Sequence, residues 1–492
     1  MPPSVRLHTL VGIGMKVVLS TPPGKTTERW PPLGLLYIAS SCLKARSDEM
    51  RVLDAFCENL SREQLVRRVV AEKPDIFGMN CSTHTFLDTI DTIKMVSEAL
   101  PETKLVLGGF HATFAYERIL KEYGFVDYVV RGEGEESFPR LLDCMERGVL
   151  PSGVPGIGYI ENGRVISMDP VTIRDLDSLP FPSRELVDGV DYGYHHRDIR
   201  LTFGKFTTVS SSRGCPFNCA YCSCSEFSKR QWRPRSPENV VDELERLYDD
   251  GYECCVFVDD NFTLRKDRVE KLCDLIDERR IRMQFYCEGR VDEASYSLMR
   301  RMKKAGFSVI YFGVESPQKP VLDYYRKAID ASQARKAIED AKKAGMLVVT
   351  SYIMGAPVES VDDMNRTVDF IHSSRPHGVQ INILDCLIGT EVWSRLETEG
   401  LIGPDDWKRN HRIYEYNSDG MSRADLEALV NKGYAAHLSA WKSLGGLSDL
   451  ARAMALNRTA RDIVVRNLAN PNVRRRLSDS RRFASVDTLP GR

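Results

Sequence analysis

A chain of 492 residues is too long for one ordinary core and predicts two domains, and 68 Lys plus Arg against 69 Asp plus Glu removes any overall electrostatic drive toward nucleic acid or anionic lipid. No run approaches the roughly 18 apolar residues of a bilayer span, and residues 1–15 lack the compact apolar stretch of a secretory signal, which predicts a cytoplasmic protein without stable membrane insertion. Thirteen cysteines, an odd number scattered over a large chain, speak against a disulfide framework and for reduced thiols.

After an N-terminal extension over 1–15, residues 16–161 alternate short apolar runs with amphipathic stretches. Segments 16–20, 50–53, 76–80, 104–107 and 128–131 read as strands, while 35–44, 61–72, 86–100 and 135–147 carry apolar residues at helical spacing. That alternation predicts an α/β domain of the doubly wound, Rossmann-like type, with its ligand at the carboxyl ends of the strands. Residues 162–205, with Leu179-Pro180-Phe181-Pro182 and a Gly/Tyr/His-rich stretch at 189–196, read as a linker.

A second alternating series fills 206–400. Strands are expected at 206–210, 254–258, 282–287, 308–314, 347–353 and 378–383, with helices such as 237–249 and 265–280 between them. Six β/α units in order predict a partial, TIM-like parallel barrel whose reacting groups lie at the carboxyl ends of the strands. Residues 401–469 read as a helical C-terminal region, and 470–492, with Arg474-Arg475-Arg476 and Arg481-Arg482 among Ser, Asp and Pro, as a basic, solvated tail.

Directly after the first barrel strand comes Ser212-Arg213-Gly214-Cys215-Pro216-Phe217-Asn218-Cys219-Ala220-Tyr221-Cys222. Three thiolates crowded on one loop can each take a different iron of a cubane cluster and leave the fourth iron open. Zinc prefers four ligands in paired spacings, and a disulfide leaves one thiol over. Cys224, two residues beyond, reads as a bystander.

The motif resembles the Cys-x3-Cys-x2-Cys signature of the radical S-adenosylmethionine (SAM) superfamily, with Tyr221 as the aromatic residue before the last cysteine. The resemblance implies a [4Fe-4S] cluster on Cys215, Cys219 and Cys222, whose open iron chelates SAM. An external donor of the flavodoxin or ferredoxin type would supply the electron that cleaves SAM to methionine and a 5′-deoxyadenosyl radical. It further implies SAM contacts at Tyr221 and at successive strand ends: Asp259 and Asp260, Arg290, Glu315, Lys327 for the SAM carboxylate, Ser351 for a ribose hydroxyl, and Gly355 for close backbone approach.

In the first domain a strand delivers Gly108-Gly109-Phe110-His111, and another ends in Arg131-Gly132-Glu133-Gly134-Glu135. No Gly-x-Gly-x-x-Gly follows the first strand, where Pro22-Pro23 stand instead. These motifs, in order before such a barrel, look like the cobalamin-dependent (class B) radical SAM family, and the similarity includes Trp232-Arg233-Pro234-Arg235-Ser236-Pro237-Glu238. Cobalamin is then expected near Gly108, Gly109, His111, Gly132 and Glu133, held between the two domains. Neither His84 nor His111 sits in an Asp-x-His-x-x-Gly motif, so histidine ligation of cobalt is not expected. The resemblance implies methylation of an unactivated carbon in a small molecule, lipid or natural-product intermediate. Oxidative cyclisation, as in enzymes similar to the anaerobic porphyrin cyclase, and a non-catalytic sensor are the other readings.

Overall fold

The computed structural model describes residues 14–24, 29–193, 195–196, 199–409, 411–412 and 419–468. The predicted basic tail lies outside them. The chain divides into two compact units, and the described residues of the first are 14–24, 32–172 and 179–190.

In the first unit β1 (Lys16–Ser20), α1 (Leu33–Ala45), β2 (Glu49–Leu53), α2 (Arg62–Glu72), β3 (Ile76–Asn80), α3 (Phe86–Ala99), β4 (Lys104–Gly108), α4 (Phe110–Glu122), β5 (Tyr128–Val130) and α5 (Gly134–Glu146) alternate as expected. The sheet order is β2-β1-β3-β4-β5, all parallel, and β6 (Ile157–Glu161) and β7 (Arg164–Ser167) extend it antiparallel. Val17 and Val18, wholly buried, show why the apolar run Val-Val-Leu forms a central strand covered on both faces. Ser61 and Gln64 cap α2 reciprocally.

Two features depart from the sequence reading. Residues 164–167, assigned to the linker, form β7, because Asn162 (φ 50°) and Gly163 (φ 74°) make the two-residue left-handed turn that closes a hairpin. Helix α4 follows the Gly-Gly turn unannounced. Its buried stripe of His111, Ala112, Ala115, Ile119 and Leu120 is too rich in small and polar residues to give a strong hydropathy period.

The second unit contains the half-barrel. After a short ladder of β8 (His195–His196) and β9 (Ile199–Arg200) come β10 (Lys205–Val209), β11 (Ser212–Arg213), α6 (Ser223–Phe227), β12 (Arg233–Pro234) and α7 (Pro237–Asp249). Then follow β13 (Tyr252–Phe257), α8 (Lys266–Glu278), β14 (Gln284–Gly289), α9 (Tyr296–Lys304), β15 (Phe307–Glu315), α10 (Lys319–Tyr324), α11 (Ala331–Lys343), β16 (Leu347–Met354), α12 (Val361–Ser374), β17 (Gly378–Ile383) and α13 (Glu391–Thr398). The six long strands pair in parallel in chain order, β10-β13-β14-β15-β16-β17, the sequential order of a barrel rather than of an open sheet.

Alternate residues face two different cores. Cys255, Phe257, Phe285, Phe312 and Val348 pack with the surrounding helices, while Phe206, Cys254, Val256, Tyr286, Val309 and Leu347 turn the other way. The second set meets Ala453 of α15 (Leu444–Leu456) and Ala460 of α16 (Arg458–Leu468), which follow α14 (Arg423–Lys442). Asn457, between the last two helices, donates to the carbonyls of Ser308 (2.8 Å) and Gly345 (3.1 Å), at the amino ends of β15 and β16. Helices α15 and α16 thus cover the inner face at the end of the barrel away from the site. Helix α14 packs instead with the outer core, where the Tyr434 hydroxyl accepts the Ile381 N–H, and its Trp441 donates to the Pro376 carbonyl.

Candidate functional site

The cysteine loop runs from β11 to β12, which pair antiparallel and zip its two ends together. Cys215, Cys219 and Cys222 are partly exposed on it, as is Cys224, whereas the other nine cysteines are buried. Between the second and third thiols, Ala220 is buried and donates to the Tyr325 carbonyl (2.9 Å), while its own carbonyl takes the Val392 N–H (3.0 Å). Gly214 turns the chain into the loop with φ +81°, and a Cβ there would stand 2.2 Å from the Gln231 carbonyl oxygen.

Gly214→Ala is therefore expected to cut the iron bound per reconstituted chain severalfold. Gly251→Ala is the matched control: it has the same φ but open space around it, so it meets only the left-handed backbone cost of about 1 kcal/mol. Iron analysis of both variants checks this.

The thiols are electrostatically distinct. Hydrogen bonds from the Cys224 side chain and from the N–H groups of Cys224 and Ser225 bring Cys222 down to about 7, whereas burial lifts Cys215 to about 11. Burial also raises Cys219, opposed by the positive charges of Lys327 and Arg290. Cys224, read as a bystander, in fact touches a candidate ligand. Among the described residues no three His, Cys, Asp or Glu side chains converge on a point that would hold one metal ion. A cubane spreads its ligands over separate irons, which suits three thiols on one loop.

Four of the predicted SAM residues meet beside the loop. At the end of β15 a register shift between Gly313 and Glu315, and a left-handed φ of 64° at Glu315, swing that buried carboxylate inward. Its Oε1 takes the Lys327 ammonium (2.6 Å) and the Tyr221 hydroxyl (3.0 Å), and Oε2 takes the Ser351 hydroxyl (3.2 Å). A Cβ on Gly313 would lie 2.6 Å from Lys327 Nζ, so a larger residue there would make the pair shift.

The other predicted residues are placed differently. The Arg290 guanidinium lies over the Phe217 ring (3.6 Å to its centre) and forks onto Asp292, which sets it against the cluster loop. Asp259 is buried and gives its oxygens to Ser211 and Ser212, and Asp260 accepts the Gly214 N–H (2.9 Å). Both acids thus serve the base of the loop. Gly355 packs against Leu426, and its N–H donates to Glu359 (2.8 Å).

Sequence reasoning passed over Glu359, although its place four residues after a glycine turn was a readable signal. Burial lifts it to about 8, despite the Gly355 and Ala356 N–H groups that favour its charge. Folded-state protonation above the ordinary carboxyl range means that this group's stabilising contribution is present below about pH 4.5 and fades as pH rises toward 8. Glu359→Gln keeps an acceptor for both N–H groups, so it should flatten that slope and raise the melting temperature at pH 8 more than at pH 5. Thermal melts at the two pH values check it.

In the first unit the order β2-β1-β3 puts the topological switch point between β1 and β3, where an open sheet of this kind binds its ligand. The crest there is formed by residues 21–24 and 81–85, which the sequence reading did not single out. Asn80, at the end of β3, has a buried side-chain oxygen with no partner among the described residues. Such an acceptor suits the amide-bearing rim of a corrin.

The predicted residues support this crest from the β4 and β5 side. Gly109 (φ 93°) sits so close that a Cβ would stand 2.8 Å from the Cys81 carbonyl oxygen, and Gly108 accepts the Cys81 N–H. His111, 1% exposed, lies against Phe86 and bonds Thr83 through Nδ1 (3.1 Å). Burial brings it down to about 3, so at neutral pH it is an uncharged support of the β3 loop. Gly132 (φ 70°) donates to Thr113 Oγ1, and Glu133 precedes the first turn of α5.

An open α/β unit followed by a parallel half-barrel with three thiols on its first loop defines a class of cluster-bearing radical enzyme. The radical SAM superfamily model matches residues 209–371, and the B12 binding domain model matches 23–142. An uncharacterized methyltransferase of Pyrococcus horikoshii is 31% identical over 80% of this chain and 86% of its own length. The anaerobic magnesium-protoporphyrin IX monomethyl ester cyclase of Cereibacter sphaeroides is 27% identical over 69% of this chain, which spans 56% of that protein. Among solved structures, the cobalamin-dependent SAM radical enzyme OxsB, with aqua-cobalamin and SAM bound, shares the fold at 15% identity (TM-score 0.71, covering 96% of this chain and 75% of that one). The chain belongs to the cobalamin-dependent radical SAM family. It is a radical SAM enzyme whose cofactors are a [4Fe-4S] cluster, SAM and cobalamin. Among the described residues no helix is long and apolar enough to cross a membrane.

Proposed function

We propose that this enzyme transfers a methyl group from SAM to an unactivated carbon of a small molecule, with Cys215, Cys219 and Cys222 holding the cluster. The observation that carries the reading is the cation-flanked thiol site, where Lys327 and Arg290 stand beside Cys219 and Tyr221, Glu315 and Ser351 complete a polar wall. A carboxylate-bearing ligand such as SAM suits that wall. The cluster supplies a low-potential electron and cobalamin a methyl carrier, while the protein supplies alignment and exclusion of water. In this chain Tyr221 ties the cluster loop to Glu315, and Lys327 holds a positive charge where a carboxylate can share it. The crest at Asn80 would receive the corrin.

Methyl transfer is supported by the methyltransferase of Pyrococcus horikoshii, to which the likeness runs over most of both chains. Cyclisation is the second reading, supported by the shorter match to the porphyrin cyclase. Product counting on the anaerobically reconstituted enzyme separates them. Methyl transfer yields S-adenosylhomocysteine and 5′-deoxyadenosine together, and cyclisation yields no S-adenosylhomocysteine. A fully loaded, reduced enzyme that forms no deoxyadenosine would sink both and favour a sensor. The electron is expected from a flavodoxin- or ferredoxin-type partner.

A further inference from the structure

Directly beneath the cluster loop lie four buried charged side chains that the SAM site does not use. Arg235, Glu243, Asp259 and Arg268 are 4%, 1%, 2% and 8% exposed, and their charges cancel. They come from four separate places: Arg235 follows β12, Glu243 is on α7, Asp259 follows β13 and Arg268 is on α8, with Arg235 and Glu243 paired. What they share is a grip on three residues, Ser210, Ser211 and Ser212.

The Ser210 carbonyl and both backbone polar groups of Ser211 are engaged by them. Arg235 donates through Nη1 to the Ser210 carbonyl (2.9 Å) and through its own N–H to the Ser211 carbonyl (3.0 Å). Arg268 Nη2 donates to the same Ser211 carbonyl (2.6 Å) and to the Arg235 carbonyl (3.2 Å). Asp259 accepts the Ser211 N–H (2.7 Å) and the hydroxyls of Ser211 and Ser212 (2.6 Å each). Glu243 holds the Arg235 guanidinium, and Asn239 takes its Nε (2.7 Å).

Burying four charges is a poor route to stability, since a well-packed apolar set of the same volume commonly does as well or better. What such a network supplies is a fixed geometry, and here the fixed element is the strand end three residues before Cys215. We infer that Arg235, Glu243, Asp259 and Arg268 are positioning residues for the iron–sulfur cluster, a clamp that sets where Cys215 enters the loop. This explains why Arg-Pro-Arg-Ser-Pro-Glu-Asn-Val-Val-Asp-Glu, residues 233–243, accompanies the cysteine motif: it carries half of the clamp and the strand that closes the loop. The inference rests on the thiol loop holding the cluster.

The test uses the full chain, reconstituted anaerobically, as wild type, Asp259→Asn, Arg268→Met and the double variant Ser211→Ala/Ser212→Ala, which leaves all four charges in place. Iron per chain, thermal melts, the electron paramagnetic resonance spectrum of the reduced cluster with and without SAM, and KM for SAM are measured. Expected is near-normal iron with an altered SAM-induced spectral change and a KM raised about tenfold, in the range seen when partners behind metal ligands are removed. Variants that melt and load iron like wild type, yet show its spectral change and KM, overturn the clamp. If the charge variants do not fold, the serine pair decides: a wild-type spectrum and KM overturns the clamp, and an altered spectrum supports it. A wild-type enzyme with full iron but no response to SAM overturns the clamp together with the SAM reading and is recognised by that pattern.

Discussion

Cys215→Ala, Cys219→Ala and Cys222→Ala should each lower 5′-deoxyadenosine formation by more than about 100-fold, whereas Cys224→Ala should retain the cluster. The magnitude follows from comparison: losing a partner behind a metal ligand commonly costs 10–100-fold, and losing the ligand itself costs more. The loop leaves the cluster no substitute, because among the described residues the nine cysteines outside the Cys215 to Cys224 segment are buried. Only Cys224 is near, and its contact with Cys222 makes it the informative control. Its loss removes the leading hydrogen bond favouring the Cys222 thiolate, so Cys224→Ala should bind iron more slowly at pH 7 without changing its final amount. Iron and deoxyadenosine measured on all four proteins check the assignment. A Cys224 variant that alone fails to load iron would overturn it.

How far the site could be read from the sequence depended on whether its signals were local. The three cysteines are four and three residues apart on one loop, so spacing alone carried them. Glu315 and Lys327 were reachable because both follow one strand end. Asp259 was visible as an acid at a strand end, but its partners Ser211 and Ser212 lie 48 and 47 residues earlier, and only the parallel pairing of β10 with β13 brings them together. The stacking of Arg290 on Phe217 has the same origin. In the first unit the strands were legible as buried apolar runs, while the switch point was not, since strand order is a tertiary fact. Asn80 therefore gave no sign in the sequence, and attention fell on the glycines of the neighbouring turns, which in the folded unit support the β3 loop.

The second large effect is expected at Lys327. Lys327→Met leaves the Glu315 carboxylate buried with two hydroxyl partners and no cation, a change of the kind that costs about 3–5 kcal/mol. Glu315→Gln should be destabilising for the mirror-image reason, because it strands the ammonium. Together, Glu315→Gln/Lys327→Met remove both charges and keep an amide that can accept from one of the Tyr221 and Ser351 hydroxyls and donate to the other, so the pair should recover most of the stability that either change alone removes. A double-mutant cycle by denaturant unfolding reads this coupling directly. Activity should not follow stability. If Lys327 also serves the SAM carboxylate, the double variant melts near wild type yet binds SAM weakly, with KM raised at least tenfold in keeping with the loss of a charged partner worth about 1.4 kcal/mol or more. A double variant that regains both stability and SAM affinity would reduce Lys327 to a structural partner of Glu315, and the cation for SAM would then have to be Arg290, the other positive charge beside Cys219.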